Sequence, residues 1–453
     1  MELLDPLDAI FLALESREHP MHVGGLYLFE TPCDTDEFVQ ELYSGYLAAT
    51  DVRSRFRRRL HREWGGFSLR AWSHADEVDL GYHVRRSGLP APGGTAELLD
   101  LVARLHGQLL DRHRPLWETR LIEGLGGKRF AMYSKIHHAL FDGVTGQQLA
   151  TRSFTTDPLD SGLYPAWTLG APQRGDDTPH RSARVGLRGL PRLAASVPNE
   201  LNKGLSVLRA VTDGRLTLPM TAPRTVFNVP IGGAREIAIG SLSLDRIDAV
   251  RRATGTTVND IVLAISAGAL RTYLLERQAL PNRPLVAMVP MNMRTPAEAE
   301  TEGNLVAALL ANLATDVADP VRRLSAISAS MQSGKQVFGG LSRRQAQALS
   351  LLLLAPAGLD LVPGLPHGPR VPFNVTISNV PGHRKARYLR GARLEHWYPL
   401  SIPFDGQGVN ITVAGNGDSI DIGVVGCRRA APNLARLVMA MDDSLTDLEF
   451  ATR

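Results

Sequence analysis

The chain has 453 residues, 44% hydrophobic and 21% charged, with a formal net charge of +4. That length suggests two or three domains with a full core, and the composition excludes a disordered tail, a collagen-like fibre and a disulfide-stapled miniprotein. Cys33 and Cys427 are the only cysteines; they frame no disulfide set and no cysteine metal cluster, which fits a reducing compartment.

Arginine supplies nearly all of the positive charge, the lysines being Lys128, Lys135, Lys203, Lys335 and Lys385. The surplus fits an anionic membrane surface or a phosphate-bearing ligand; genomic base composition is the bland reading. Nucleic acid is not expected as a partner, because no zinc-finger spacing or recognition module is present.

In chain order, the opening MELLDPLDAIFLALESREHP has no positive charge before Arg17 and no long apolar core, so no secretory signal is expected there. Residues 1–172 form a first half that mixes strands and helices. Within it, residues 118–122, a turn at 124–127 and residues 129–138 read as a β-hairpin. Residues 173–222 are rich in Pro, Gly and Arg. They read as a crossover linker with short amphipathic helical pieces, either a solvated connection or a basic surface resting on lipid. Residues 223–453 form the second half. Thr257 is placed to cap a helix over residues 258–274, with Val258, Ile261, Val262, Ile265 and Ala269 as an apolar stripe. Residues 284–291 read as a buried strand. The apolar stretch 348–355 falls far short of the ~20 residues a spanning helix needs, so the protein is expected to be soluble or peripheral. Residues 408–414 and 419–426 flank an Asn416-Gly417 turn. Pro432 opens a last helix with Leu434, Leu437, Val438, Met441, Leu445 and Leu448 on one face. The economical fold class is α/β (α+β): two mixed-sheet halves joined by a long crossover.

The sharpest local feature is KIHHALFDGVTG at residues 135–146. His137, His138, Asp142 and Gly143 stand at the end of a strand. Alternation puts Phe130, Met132, Ser134, Ile136 and His138 on one face, and Ala131, Tyr133, Lys135 and His137 on the other. The two histidines therefore point opposite ways, a poor arrangement for a metal pair. His138 shares its face with apolar residues, where a neutral imidazole can take a proton from a hydroxyl and return it to a leaving group. Asp142 falls where the chain leaves the strand for a helix. It either caps that helix or is buried against an arginine and holds the loop, leaving the proton untouched. Gly143 relieves backbone crowding at the turn. The bland reading of the motif is a core histidine pair ahead of a helix cap. Other schemes lack their residues. There is no Gly-x-Ser-x-Gly elbow and no His-Glu-x-x-His, and residues 124–128 depart from a phosphate loop, with Arg129 where Ser or Thr should stand. No metal is expected.

HHALFDG matches the His-His-x-x-x-Asp-Gly motif of coenzyme-A-dependent acyltransferases with the chloramphenicol-acetyltransferase-like fold. The rest of the chain resembles one branch, the bacterial wax ester synthase/diacylglycerol acyltransferases. The matching segments near the start are Asp5, Phe11, Glu15 and Pro20-Met21-His22-Val23-Gly24. Next come Leu110-Asp111-Arg112 and Arg114-Pro115-Leu116-Trp117-Glu118. The second half contributes Asn259-Asp260, Pro290-Met291-Asn292-Met293-Arg294, Gly303-Asn304 and Ile377-Ser378-Asn379-Val380-Pro381-Gly382. The resemblance runs from end to end. Met291-Asn292-Met293 is a soft departure, since many relatives are expected to carry small or β-branched residues before the arginine.

The resemblance implies an active-site tunnel between the halves, with His138 as general base, Asp142 as structural anchor and Arg294 as its partner from the other half. A buried carboxylate without a partner costs several kcal/mol, roughly, so such a pair would stitch the halves together; an ordinary surface ion pair is the other reading of Arg294. His137 is supporting. Asn259 and Asp260 are site-wall residues or first-turn dipole partners. Pro115, Leu116 and Trp117 shape the acyl route by packing, and Asn379 lines the tunnel or serves a plain turn. The implied reaction moves a fatty acyl group from acyl-CoA to the hydroxyl of a 1,2-diacylglycerol or a long-chain alcohol. Acyl-CoA is then a substrate and no cofactor is implied. The implied setting is cytoplasmic, with peripheral contact at the inner membrane face or lipid droplets. Two rivals stand beside it: a carrier-protein-dependent condensation or polyketide-associated acyltransferase, and a non-catalytic lipid-binding protein of the same fold. Intact His138, Asp142 and Gly143 argue against the second.

Overall fold

The computed structural model describes residues 2–4, 6–61, 71–141, 143–169, 216–292, 306–354 and 368–453. The first half runs β1 (Glu2–Leu3), α1 (Pro6–Leu14), β2 (His22–Glu30), α2 (Thr35–Ala48), β3 (Arg58–Leu60), β4 (Ala71–His74), α3 (Leu80–His83), β5 (Val84–Gly88), α4 (Thr95–His106), β6 (Trp117–Leu125), β7 (Arg129–His137) and α5 (Gly143–Arg152). The second begins with β8 (Ala222–Pro223), β9 (Arg235–Ser243), α6 (Leu244–Thr254), α7 (Val258–Glu276), β10 (Val286–Asn292), β11 (Val306–Asn312), α8 (Pro320–Gly339) and α9 (Arg343–Leu354). It ends with β12 (Arg370–Val371), β13 (Val375–His383), β14 (Tyr388–Leu389), β15 (Ala392–Leu400), β16 (Val409–Asn416), β17 (Ser419–Cys427) and α10 (Leu434–Ala451).

Alternating side chains build the first large sheet, whose order is β14-β15-β2-β7-β6-β5. On β7, Phe130 and Met132 enter one core with Phe29, Phe38 and Leu121, while Ala131 and Tyr133 enter another with Leu26 and Ile122. That period of two makes the sheet apolar on both faces. The expected hairpin is present as β6 and β7, but its turn sits at residues 126–128. Gly124 lies instead in a bulge between Ile122 and Leu125. Both Gly124 (φ 85°) and Gly127 (φ 75°) occupy the left-handed region, where a glycine carries no steric cost.

The second sheet has the order β11-β10-β13-β16-β17-β9. It is parallel at β10–β13 and β13–β16 and antiparallel elsewhere. Thr257 caps α7 through a capping box, its hydroxyl accepting the Asp260 N–H while Asp260 accepts the Thr257 N–H. By length and composition α7 is the one helix among the described residues that could cross a membrane. It is instead mostly buried in the second core, against α10 and α8, and burying each of its large apolar side chains contributes about 1.5–3 kcal/mol. The expected Asn416-Gly417 turn shifts by one residue. Asn416 pairs with Ser419, because its amide reaches the Asp421 carboxylate and the Glu395 carbonyl, both at 2.9 Å. The last helix begins at Leu434 rather than at Pro432, with a left-handed Asn433 (φ 63°) before it whose side chain makes no capping bond. The apolar stretch 348–355 falls mainly in α9, where Leu353 is buried and Leu351 and Leu352 face outward.

The two halves are interleaved. β14 and β15, although they come from residues 388–400, complete the first sheet, so the first sheet draws on both spans while the second lies wholly within 223–453. Of the 173–222 linker, only residues 216–222 are described. A seam core joins the sheets, with Leu98, Val102 and Leu105 of α4 between Tyr133 and Leu26 on one side and Ile237 and Val425 on the other. Beside it, Asp421 on β17 is fully buried and accepts the Trp397 N–H of β15 at 2.7 Å and the Ser241 hydroxyl of β9 at 2.7 Å. Backbone meets backbone at Gly423, where a Cβ would land on the Pro399 carbonyl of β15. Gly423→Ala should therefore cost about 1–3 kcal/mol. A thermal melt checks it, and an unchanged melting temperature would mean the seam yields.

Candidate active site

β7 delivers the histidine pair. His137 is its last residue and is fully buried. Its Nδ1 accepts the Ala139 N–H at 3.1 Å, which leaves the ring proton on Nε2. That Nε2 faces Glu15 Oε1 at 3.3 Å. The Glu15 side chain is 1% exposed. Its Oε2 accepts Arg112 Nε and Nη2, both at 2.8 Å, and its Oε1 accepts the Met21 N–H at 3.2 Å. Burial alone would raise the Glu15 carboxyl, but His137, Arg112 and the Met21 amide together hold it below its usual range. The same Met21 accepts the His138 N–H on its carbonyl at 2.9 Å. One carboxylate thus braces both His137 and Met21, the residues that hold the His138 backbone.

His138 is half-buried. Its ring stacks on Phe11, with centroids 4.1 Å apart and planes 17° from parallel. Phe11 and Glu15 are one helical turn apart, and the Glu15 N–H still bonds the Phe11 carbonyl at 3.1 Å, so the end of α1 presents both to the motif. The resemblance places Phe11, Glu15 and Arg112 in family-like segments without roles; the i, i+4 spacing of the first two is the signal that pairs them.

Behind the pair lies a buried layer of imidazoles. His22, cross-strand partner of His137, donates to the His106 carbonyl at 2.9 Å. His106 donates to the Ser401 carbonyl at 3.2 Å and accepts the Tyr133 hydroxyl at 2.8 Å. Burial drives His22 well below its ordinary pKa and His106 down to about 3. Lys135 donates to the carbonyls of Leu105 and Gln108 at the end of α4, and burial lowers it to about 8.

The other expected residues fall as follows. Pro115, Leu116 and Trp117 are buried; the Leu116 carbonyl accepts the His137 N–H at 3.0 Å. The Trp117 ring stacks on His83 at 4.4 Å and on Trp167 at 5.2 Å. Gly143 opens α5, which lies against β13 of the other sheet. That contact brings the motif and the Asn379 segment together across the seam. Asn379 is half-buried and sits within the strand, paired with Val413. Asn259 is half-buried at the start of α7. Asp260 is engaged in its capping box, and Oδ2 also accepts the Ser328 hydroxyl at 3.3 Å, so its carboxylate faces its own helix end and α8. Asp142 and Arg294 lie outside the described residues.

Glu15→Gln should lower the melting temperature and reduce kcat about tenfold or more, because the neutral amide replaces a charge-assisted brace worth roughly 1.5–3 kcal/mol. Melting curves and kcat on the same preparation check it; full kcat would sever Glu15 from the site.

Two interleaved mixed sheets, with a histidine pair at a strand end and a following helix laid on the opposite sheet, define a two-domain acyltransferase of the His-His-x-x-x-Asp-Gly class. Residues 4–262 match the wax ester synthase/diacylglycerol acyltransferase catalytic domain, and residues 302–449 match the WS/DGAT C-terminal domain. A probable diacylglycerol O-acyltransferase of Mycobacterium tuberculosis, tgs2, is 49% identical over 100% of this chain and 99% of its own length. A putative diacylglycerol O-acyltransferase of the same species is 49% identical over 99% of each chain. The solved wax ester synthase/diacylglycerol acyltransferase of Marinobacter aquaeolei is 38% identical and superposes with a TM-score of 0.79 over 100% of both chains. The chain belongs to the wax ester synthase/diacylglycerol acyltransferase family and is an acyltransferase. The first condensation domain of the calcium-dependent antibiotic synthetase, 17% identical with a TM-score of 0.62 over 100% of this chain and 96% of its own, shares the fold.

Proposed function

We propose that the protein transfers a fatty acyl group from acyl-CoA to a lipid hydroxyl, with His138 as general base. The observation that carries this reading is the difference between the two histidines. His137 is sealed between Glu15 and the Ala139 amide, whereas His138 is half-exposed with its ring plane set by Phe11. In the reaction His138 takes the hydroxyl proton as the oxygen attacks the thioester carbonyl. The C–S bond then breaks, and His138 returns the proton to the departing CoA thiolate. The thioester is already activated, so no covalent enzyme intermediate, metal or cofactor is called for. Asp142 holds the loop, paired with Arg294, while His137 and Gly143 fix the base's backbone. Asn379 and Asn259 belong to the wall of a tunnel between the halves, whereas Asp260 serves the cap of α7.

The acceptor is 1,2-diacylglycerol, a long-chain alcohol or both; the names of the Mycobacterium relatives favour the first and that of the Marinobacter enzyme allows both. The setting is the cytoplasmic face of a membrane or a lipid droplet. The outward Leu351 and Leu352 of α9 and the outward Ile10 and Leu14 of α1 support that contact. The test is CoA thiol release from palmitoyl-CoA by the purified protein, with dipalmitin and hexadecanol offered separately. Acceptor-dependent release is expected, and the faster acceptor names the activity. No release from folded protein with either would overturn the reading and favour a carrier-bound donor.

A further inference from the structure

We propose that the arginine run at residues 53–59 holds the phosphates of the CoA donor, an inference that rests on the acyl-CoA-dependent transfer proposed above. Arg53, Arg55, Arg57, Arg58 and Arg59 occupy seven consecutive positions that contain no acidic residue. It is the densest cationic stretch of the sequence. Guanidinium forks match phosphate oxygens in pairs.

The run is rooted beside the base. Trp117 Nε1 donates to the Phe56 carbonyl at 2.9 Å. The Phe56 ring packs edge-on against Trp117 at 5.5 Å and beside Phe141 at 5.1 Å. This fixes Arg55, whose guanidinium lies over the Phe141 ring, 4.7 Å from its centroid. Phe141 is three residues beyond His138, a reach of at most about 10 Å. From Arg55 the chain continues into β3, and four more residues add up to about 14 Å. Arg57 and Arg58 are half-buried there and Arg59 is exposed. CoA needs such a spread, because its pantetheine arm holds the phosphates well away from the thioester. A cationic site for them must begin near the base and extend from it.

At Arg57 and Arg53 the mode of anchoring preserves charge. Arg57 donates to the Ala75 carbonyl at 2.8 Å and to the Asp76 carbonyl. Arg53 donates to the Thr168 carbonyl at 3.0 Å and has an exposed pair with Asp51 at 3.3 Å, which screening makes weak. Neutral carbonyls hold a guanidinium in place without cancelling it. Phosphate is also the chemistry of an anionic lipid head group, so the test separates the two sources.

The experiment compares wild type with Arg58→Gln/Arg59→Gln on three donors: palmitoyl-CoA, palmitoyl-dephospho-CoA and the phosphate-free palmitoyl-N-acetylcysteamine. The ratio of kcat/KM for palmitoyl-CoA to that for the phosphate-free donor should fall about tenfold or more in the variant, through KM, with the dephospho donor between them. Added salt should lower the same ratio in the wild type. An unchanged ratio would overturn the proposal, whether both donors lose activity equally or neither does. Flotation with phosphatidylglycerol vesicles is the second arm: a variant that loses vesicle binding at an unchanged donor ratio would assign the run to lipid and overturn the CoA site. Transfer from neither donor by the wild type would instead overturn the acyl-CoA reading, and the proposal with it. If the double variant does not fold, Arg59→Gln alone, at an exposed side chain, carries the same comparison.

Discussion

Replacing His138 with alanine is expected to lower kcat by about 10²–10⁴-fold, the range typical of losing a general base, while KM for palmitoyl-CoA changes little. The melting temperature should stay close to that of the wild type. The His138 ring is half-exposed, and its backbone N–H, which carries the bond to Met21, survives the substitution. His137→Ala is the informative contrast. That ring is fully buried and bridges the Ala139 amide and Glu15, so its loss leaves a cavity and takes one of three partners from Glu15, which Arg112 and the Met21 amide still hold, and should cost about 2–5 kcal/mol. Melting curves and kcat on both variants separate the roles. A His138→Ala enzyme with wild-type kcat would remove the base; a His137→Ala enzyme with wild-type stability would remove the brace.

Acid should unfold the protein steeply. Burial holds His22 well below its ordinary value, His83 at about 4 and His106 at about 3, against 6.5 in the unfolded chain. A base whose folded pKa is depressed contributes stability that is complete above pH 6.5. That stability is lost as pH falls from 6.5 toward the folded values, because only the unfolded state takes the proton. Each such histidine costs about 1.4 kcal/mol per pH unit in that window, so three together remove roughly 4 kcal/mol per unit. Against a typical total of about 5–15 kcal/mol, unfolding by about pH 4 to 5 is expected. Glu15, held below its usual range, adds to the loss below about pH 4.5. His396 has the opposite sign. Asp421 raises it, so its contribution is complete in acid and fades as pH rises past its folded value. Urea melts at pH 7.5, 6.0 and 5.0 measure the slope, and an uptake of fewer than one proton on unfolding would refute the buried neutral set.

Several features are legible in the residue pattern alone. The 129–138 strand alternates between two apolar faces, and the fold buries Phe130 and Met132 on one side and Ala131 and Tyr133 on the other. Thr257 and Asp260 stand three apart at the head of an apolar run, and the capping box follows. The hairpin turn is harder to place because two glycines compete for it: Gly124 serves the bulge and Gly127 the turn. The arginine run at residues 53–59 reads in the sequence as part of the general arginine surplus of the chain; its place beside the motif emerges only from the contacts of Phe56 with Trp117 and of Arg55 with Phe141.

Local pattern suffices for the period of the strands, the cap of α7, the His-His-x-x-x-Asp-Gly motif of the acyltransferase class and, through the Pro115–Trp117 and Ser378–Gly382 segments, the family. These depend on backbone geometry and side chains within a few residues of one another, which spacing reports directly. It takes the packed chain to show that β15 completes the first sheet, that Glu15 braces His137, that Phe11 sets the plane of His138, and that α5 rests on β13. Each joins segments whose local sequence is compatible with many partners. The choice is made by burial: Glu15 is stable in the interior only where His137, Arg112 and the Met21 amide meet it, and β15 can approach β17 that closely only where Gly423 has no side chain.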